Sequence, residues 1–381
     1  MPRHQNPFRY GQLALDEAFT DRERETRELV RDLWSGQNVV LFAPRRYGKS
    51  SLVWRAAQQL IAEEGMRVAH VDLLATPSKE KFAEKLAATI YEDVAPPLAR
   101  ARDRVTSLFG GLRISPSVTF DTAGGISFSF AAGHAPQDVD ATLERLFELP
   151  AQLAAEHKLH VAIVFDEFQE IVALDPRLPA LMRSVFQRQP EVAHVYLGSK
   201  RKMMNRLFND ENEPFWRSAK QMEIGPIDPN EFVPFIEAQF ARTDRGLATG
   251  VIDNVLTITR GHPYATQELC YFLWDLVPEG FSAMAGDVED ALAAVLRSEH
   301  AHFSRVWEDA ARGQRLVLQA LAAEPHTPIS EEYRRRHNLP PDATVRKALR
   351  TLGDDEIVTR DVSGYRIAEP FLAEWILRNE S

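Results

Sequence analysis

Hydrophobic residues along this chain follow two periods, and the switch between them outlines the fold. Five consecutive apolar residues, Val161-Ala162-Ile163-Val164-Phe165, describe a strand buried on both faces. Val39-Val40-Leu41-Phe42 has the same character, and shorter apolar runs cover residues 67–74, 194–199 and 221–225. Helical spacing lies between these runs. Leu29, Val30, Leu33 and Trp34 mark one helix, which Thr20 or Asp21 would cap. Others fit residues 51–64, 78–92 and 137–157. Alternating strands and helices predict a parallel sheet with helices on its faces.

Residues 95–137 break the alternation. Pro96-Pro97 interrupts, then Ile114, Val118 and Phe120 alternate with polar residues, as do Ile126, Phe128 and Phe130. With Asp121-Thr122-Ala123-Gly124-Gly125 as the turn, this predicts a β-hairpin with one apolar face, inserted on the core sheet over residues 112–131. It is either a partner-binding edge or a decorated surface.

From Pro226 the pattern is helical, with no strand expected before the end of the chain. Helices fit residues 229–243, 248–259, 263–277 and 286–308. Gly261 is suited to end one helix and Pro263 to start the next. Beyond residue 311 come three helices and a hairpin turning at Ser363-Gly364, the order of a winged helix. The expected division is 1–225, 226–310 and 311–381.

The stretch from Asn38 to Leu52 carries the chemistry. An apolar strand enters Ala43-Pro44-Arg45-Arg46-Tyr47-Gly48-Lys49-Ser50-Ser51, and an amphipathic helix follows. This is the layout of a phosphate-binding P-loop, whose backbone N–H groups and helix N-terminus face an anion. Gly48 lets the backbone approach closely, Lys49 reaches β- and γ-phosphates, and the Ser50 hydroxyl suits Mg²⁺. Ala43 stands where the motif has its first glycine, which makes the nucleotide affinity an open question. A chance Gly-Lys-Ser is the bland alternative, and the flanking strand and helix argue against it.

The strand at 161–165 ends in Asp166-Glu167. At the C-terminal edge of a parallel sheet, Asp166 suits a Walker-B carboxylate holding Mg²⁺ and Glu167 the group that orients or deprotonates water. Helix capping would explain acids here equally well, were no P-loop present upstream. Ser199 falls where a γ-phosphate sensor is expected, or is a plain turn serine. Arg217 is suited to a phosphate or to a surface acid. Met203, Met204, Leu207 and Phe208 form a helical stripe that reads as core.

Composition narrows the class. The profile of 44% hydrophobic and 26% charged residues is that of a globular protein. One cysteine, Cys270, in an apolar run fits a reducing compartment and a core role. The start lacks a signal-peptide core and no apolar run is long enough to span a membrane, so a cytoplasmic location without membrane attachment is expected. The net charge of −10 argues against a polybasic nucleic-acid binder. Residues 312–381 hold 11 Lys+Arg and 11 Asp+Glu, so Arg346, Lys347 and Arg350 on the third helix lie on a neutral segment.

Taken in order, Phe19-x-Asp21-Arg22-Glu23, the Pro44-Arg45-Arg46-x-Gly48-Lys49-Ser50 loop, Ile163 to Gln169, Gly198-Ser199, Pro214-Phe215 and Gly261-His262-Pro263-Tyr264-x-x-Gln267 resemble the archaeal-type ATPase family. That family sits in the STAND branch of AAA+-related P-loop NTPases, and the resemblance covers nearly the whole chain. It implies an α/β fold: a P-loop NTPase parallel-sheet core, a helical lid and a C-terminal winged helix. It also implies ATP or ADP with Mg²⁺ between core and lid, with His262 and Pro263 near the adenine. The expected function is an ATP-dependent conformational switch that hydrolyses ATP, with homo-oligomerisation on ATP binding. The alternatives are a DNA-binding ATPase working through the winged helix, and a nucleotide-binding protein without efficient turnover. The winged helix would meet either a protein partner or DNA.

Overall fold

Strands form where the apolar runs are least interrupted, and the most uniform runs take the centre of the sheet. The computed structural model describes residues 5–12, 22–96, 108–114, 116–120, 126–130, 135–361 and 363–380. Two compact units result.

The first unit spans Arg22–Arg45 and Lys49–Ile224. Its elements run α1 (Glu23–Trp34), β1 (Val39–Phe42), α2 (Lys49–Glu64), β2 (Arg67–Asp72), α3 (Lys79–Thr89), β3 (Ser117–Phe120), β4 (Ile126–Ser129) and α4 (Pro136–His157). They continue with β5 (Val161–Asp166), α5 (Ile171–Leu174), α6 (Leu178–Phe186), β6 (Val192–Gly198), α7 (Arg201–Asn209) and β7 (Lys220–Glu223). Five strands pair in parallel in the order β2-β5-β6-β1-β7. All of β1 and β6 is buried, as a strand covered on both faces must be. This order puts the end of β6 between the loop after β1 and the end of β5.

The hairpin is present in register, Val118 opposite Phe128, but it forms a two-stranded sheet of its own. It does not extend the hydrogen bonding of the core sheet. Phe128 and Phe130 instead join the hydrophobic cluster that contains Phe82 and Leu86 of α3, and Glu84 Oε1 accepts the Phe130 N–H at 3.1 Å. Its predicted turn, Asp121 to Gly125, lies outside the described residues, as do Phe19 and the proposed caps Thr20 and Asp21. The residue preceding α1 is Arg22, left-handed at φ 61°, with no side-chain cap.

The second unit comprises Gly225 onward, Arg46–Gly48 and the described part of the N-terminal lead. The expected division at residue 225 places that lead with the core, whereas its described part packs in this unit. Phe8 is buried beside Phe235 and Phe240, and Arg9 N–H donates to Gln267 Oε1 at 3.2 Å. The helices are α8 (Pro229–Ala241), α9 (Val251–Thr259), α10 (Pro263–Leu276), α11 (Ala285–Ser298), α12 (His300–Asp309), α13 (Arg312–Ala323), α14 (Glu331–Arg336), α15 (Asp342–Asp354) and α16 (Pro370–Asn379).

Three details differ from expectation. The segment was expected to hold no strand before the wing, yet β8 (Gly246–Leu247) and β9 (Ser282–Ala283) pair in parallel. Two residues each are too few to leave a period-2 signature. The single helix expected over 286–308 is two helices, broken at Glu299. A final helix, α16, follows the wing strands β10 (Val358–Asp361) and β11 (Gly364–Ile367), and Phe371 and Trp375 bury its inner face. One hydrophobic cluster takes in Phe8 and runs from Ile227 to Ile376, through both the helices after Pro226 and the winged helix.

Candidate functional site

The loop after β1 is built around its lysine. Lys49 opens α2 and is 7% exposed. Its Nζ donates to the Ala43 carbonyl at 2.9 Å and to the Pro44 carbonyl at 3.1 Å, so the amine ties the two ends of the loop together. Arg45 is exposed and Ser51 buried. Gly48 adopts φ +79°, a conformation glycine takes without the steric cost other residues meet. A Cβ there would meet nothing within 4 Å, so the protein's own packing is not what requires glycine. Ala43 is absent from the left-handed positions, so a methyl group in place of the usual glycine brings no backbone strain.

Ser50 and Asp166 converge from 116 residues apart: Ser50 Oγ donates to Asp166 Oδ2 at 2.9 Å. Asp166 Oδ1 accepts the Glu167 N–H at 2.9 Å. Burial pushes the Asp166 carboxyl up from its ordinary range, against the pull of those two hydrogen bonds, and the charges of Glu167 and Asp72 add to the rise. Asp72 ends β2 directly opposite Asp166. Three carboxylates at adjoining strand ends make a field that favours a cation.

Glu167 is left-handed at φ 51°. Ser199 Oγ donates to its Oε2 at 2.8 Å, and Gln169 Nε2 donates to the same oxygen. Burial raises the Glu167 carboxyl, but these hydrogen bonds and the Lys49 charge outweigh it and hold the group below its ordinary value. It is therefore ionised at neutral pH and able to accept a proton. Gly198 makes room for this arrangement. An added Cβ would lie 2.4 Å from the Met204 side chain and 2.6 Å from Gln169 Oε1. The sequence reading named neither Gln169 nor Asp72 as a site residue. The phrase ending in Phe168-Gln169 carried the first, and nothing short of the β2–β5 register could have indicated the second.

Arg217 is exposed and left-handed at φ 50°, with its guanidinium 5.0 Å from the Trp216 ring centroid. It makes no ion pair among the described residues.

In the second unit, the loop crest meets the Gly-His-Pro segment. The Tyr47 and His262 rings sit edge to face at 4.6 Å, and both are buried. His262 Nδ1 accepts the Ala265 N–H at 3.2 Å and so caps α10, which Pro263 opens. Burial and the nearby Arg46 charge lower the imidazole to about 3, so it is neutral. Arg46 lies over the Tyr264 ring at 4.3 Å and donates to Glu369 Oε2 at 3.3 Å.

Comparison with known families decides the class. A family described as an ATPase domain predominantly from Archaea matches residues 19–269. The chain belongs to this archaeal-type ATPase family. A probable winged helix domain matches residues 301–378. The fold is similar to that of the Walker-type ATPase PABY2304 of Pyrococcus abyssi, with TM-score 0.64 and 19% identity over 96% of this chain and 97% of that one. The ORC1 protein of Aeropyrum pernix, solved in complex with DNA, gives TM-score 0.48 and 14% identity over 96% and 94%. The RuvB Holliday junction branch migration motor of Thermotoga maritima gives 0.44 and 10% over 97% and 98%. No curated protein matches the chain. As a member of this family the protein carries an ATPase domain in an α/β P-loop fold with a winged helix. No described helix is long and apolar enough to cross a membrane.

Proposed function

We propose that the protein binds ATP with Mg²⁺ at the loop Ala43 to Ser51, hydrolyses it, and uses the nucleotide state as a conformational switch. The observation that carries this is the convergence of Ser50 on Asp166 at 2.9 Å beside a Glu167 held ionised by Ser199 and Gln169.

Two hard oxygen donors in contact, in a field of carboxylates, suit Mg²⁺. Ser50 and Asp166 would hold it, Asp166 directly or through water. When bound, Mg²⁺ neutralises phosphate charge. The other roles belong to side chains. Lys49 supplies a fixed cation at the loop and Gly48 a close backbone N–H. Ser199 and Gln169 aim the Glu167 carboxylate, which orients a water and accepts its proton. In this reading His262 and Pro263 lie near the adenine, and Arg217 acts on phosphate in its own site or a neighbour's.

The switch follows from differential binding, since a ligand shifts a conformational equilibrium only by its unequal affinity for the two states. ATP contacted by both the core and the helical lid would supply such a difference, and hydrolysis would release it.

Lys49→Ala is expected to abolish binding of ATP. Glu167→Gln is expected to keep binding and to lower turnover about 10²- to 10⁴-fold. Full hydrolysis by Glu167→Gln would refute the role given to that carboxylate. Solution mass with ADP and with a non-hydrolysable ATP analogue tests the switch, and an identical mass and shape in both would count against it.

A further inference from the structure

Arg46 is held in a conformation that its own chemistry disfavours. Its φ of 65° is left-handed, where a Cβ crowds the following carbonyl. Such a residue persists only when its surroundings over-determine it. Arg46 lies in the turn Arg45–Arg46, and its side chain is fixed as well. It reaches Glu369, 323 residues away in sequence, at the residue preceding α16, and lies flat over Tyr264 of α10. Glu369 is largely buried, and its second oxygen has no hydrogen-bond partner. Its charge therefore depends chiefly on Arg46.

We infer that Glu369 and Tyr264 are positioning residues for the phosphate loop: by gripping the Arg46 side chain they hold the crest Arg46–Gly48 in its left-handed turn. The grip reaches the loop from the last helix of the chain. The crest N–H groups are the ones a phosphate would meet, so their orientation is set before any ligand arrives. A preorganised site loses less freedom on binding. The inference rests on the nucleotide reading only for the identity of the ligand.

The test uses glycine as a substitute for the grip. Glycine adopts the left-handed conformation at no steric cost. Four full-length chains are compared: wild type, Glu369→Gln, Arg46→Gly, and the double variant. Two readouts are taken. The first is hydrogen–deuterium exchange of the segment Ala43 to Leu52 without nucleotide. The second is affinity for a non-hydrolysable ATP analogue with Mg²⁺. Glu369→Gln is expected to speed exchange at the crest and to weaken the analogue about fivefold, the order of the left-handed penalty. Adding Glu369→Gln to Arg46→Gly is expected to change neither readout further. A purely structural role for Glu369 in the winged helix would cost the same in both backgrounds, and that result would overturn the inference. So would unchanged exchange in Glu369→Gln. A wild-type chain that binds no nucleotide would strike the functional reading alone, and the exchange data would still decide the grip.

Discussion

Glu268 ties the stability of the fold to pH. It lies on α10 with no accessible surface, and neither carboxyl oxygen has a hydrogen-bond partner. Among the described residues, the groups that face it are Glu299, Glu369, Tyr264, Tyr10 and one cation, Arg46. Burial, then the charges of Glu299 and Glu369, push its carboxyl up from 4.5 to about 8, with Arg46 pulling weakly the other way. The folded chain thus binds this proton more tightly than the unfolded chain does. Below the unfolded value both states are protonated and nothing is lost. As pH rises from about 4.5 to about 8, only the unfolded state ionises, and the folded state loses ground. At roughly 1.4 kcal/mol for each tenfold change, the loss by pH 7 is about 3 kcal/mol. Glu268→Gln keeps shape and hydrogen-bonding capacity but cannot ionise. Its stability relative to wild type is therefore expected to grow by about 3 kcal/mol between pH 5 and pH 7.5. Urea unfolding of both chains at the two pH values measures this, and taking the difference cancels the titrating groups that do not interact with Glu268. A difference that stays flat with pH would refute the reasoning, because Glu268 would then be ionised or solvated in the fold.

Two further outcomes are expected. Gly198→Ala places a methyl against Met204 and Gln169, which is expected to cost about 1–3 kcal/mol of stability and to slow hydrolysis by disturbing the Gln169–Glu167 hydrogen bond; unfolding midpoints and ATPase rates check both. Arg346, Lys347 and Arg350 are exposed on α15, but Arg346 already pairs with Asp342 at 2.7 Å, so duplex DNA binding is expected to be weak at physiological salt; a salt-titrated binding assay with the triple alanine variant checks it, and tight binding with a steep slope lost in that variant would revive the DNA reading.

The parts of the fold that sequence revealed are those where one residue's neighbours along the chain decide its structure. The strand Val161–Asp166 is buried on both sides by its own composition, and the loop before Lys49 is marked by glycine and charge in a fixed spacing. The hairpin followed from alternation, and the structure pairs Val118 with Phe128. What sequence did not reveal depends on partners far away. Nothing near Glu84 says that it will accept the Phe130 N–H and anchor the hairpin to α3 rather than to the core sheet. The break at Glu299 is invisible because apolar spacing continues through it. Asp72 entered the site only through the β2–β5 register, and Glu369 only through a contact spanning nearly the whole chain.

Strain separates the residues that matter most from those that merely match a motif. Several non-glycine residues at positive φ lie at helix ends, Arg22, Lys158 and Arg260 among them, where the left-handed turn closes or opens a helix. Glu167 likewise precedes a short helical turn, Phe168–Glu170, and Arg46 lies in the turn after β1. What sets the two apart is that each has a side chain held by at least one group distant in sequence. For Glu167 the holders are Ser199 and Gln169, which fix where the carboxylate points. For Arg46 they are Glu369 and Tyr264, which fix where the neighbouring N–H groups point. One side chain is aimed directly and the other aims the backbone. Losing either set of holders would leave the named motif residues in place while removing the geometry that gives them chemistry. On the proposed reading, variants at Ser199 or Glu369 are expected to be more informative than further substitutions within the loop.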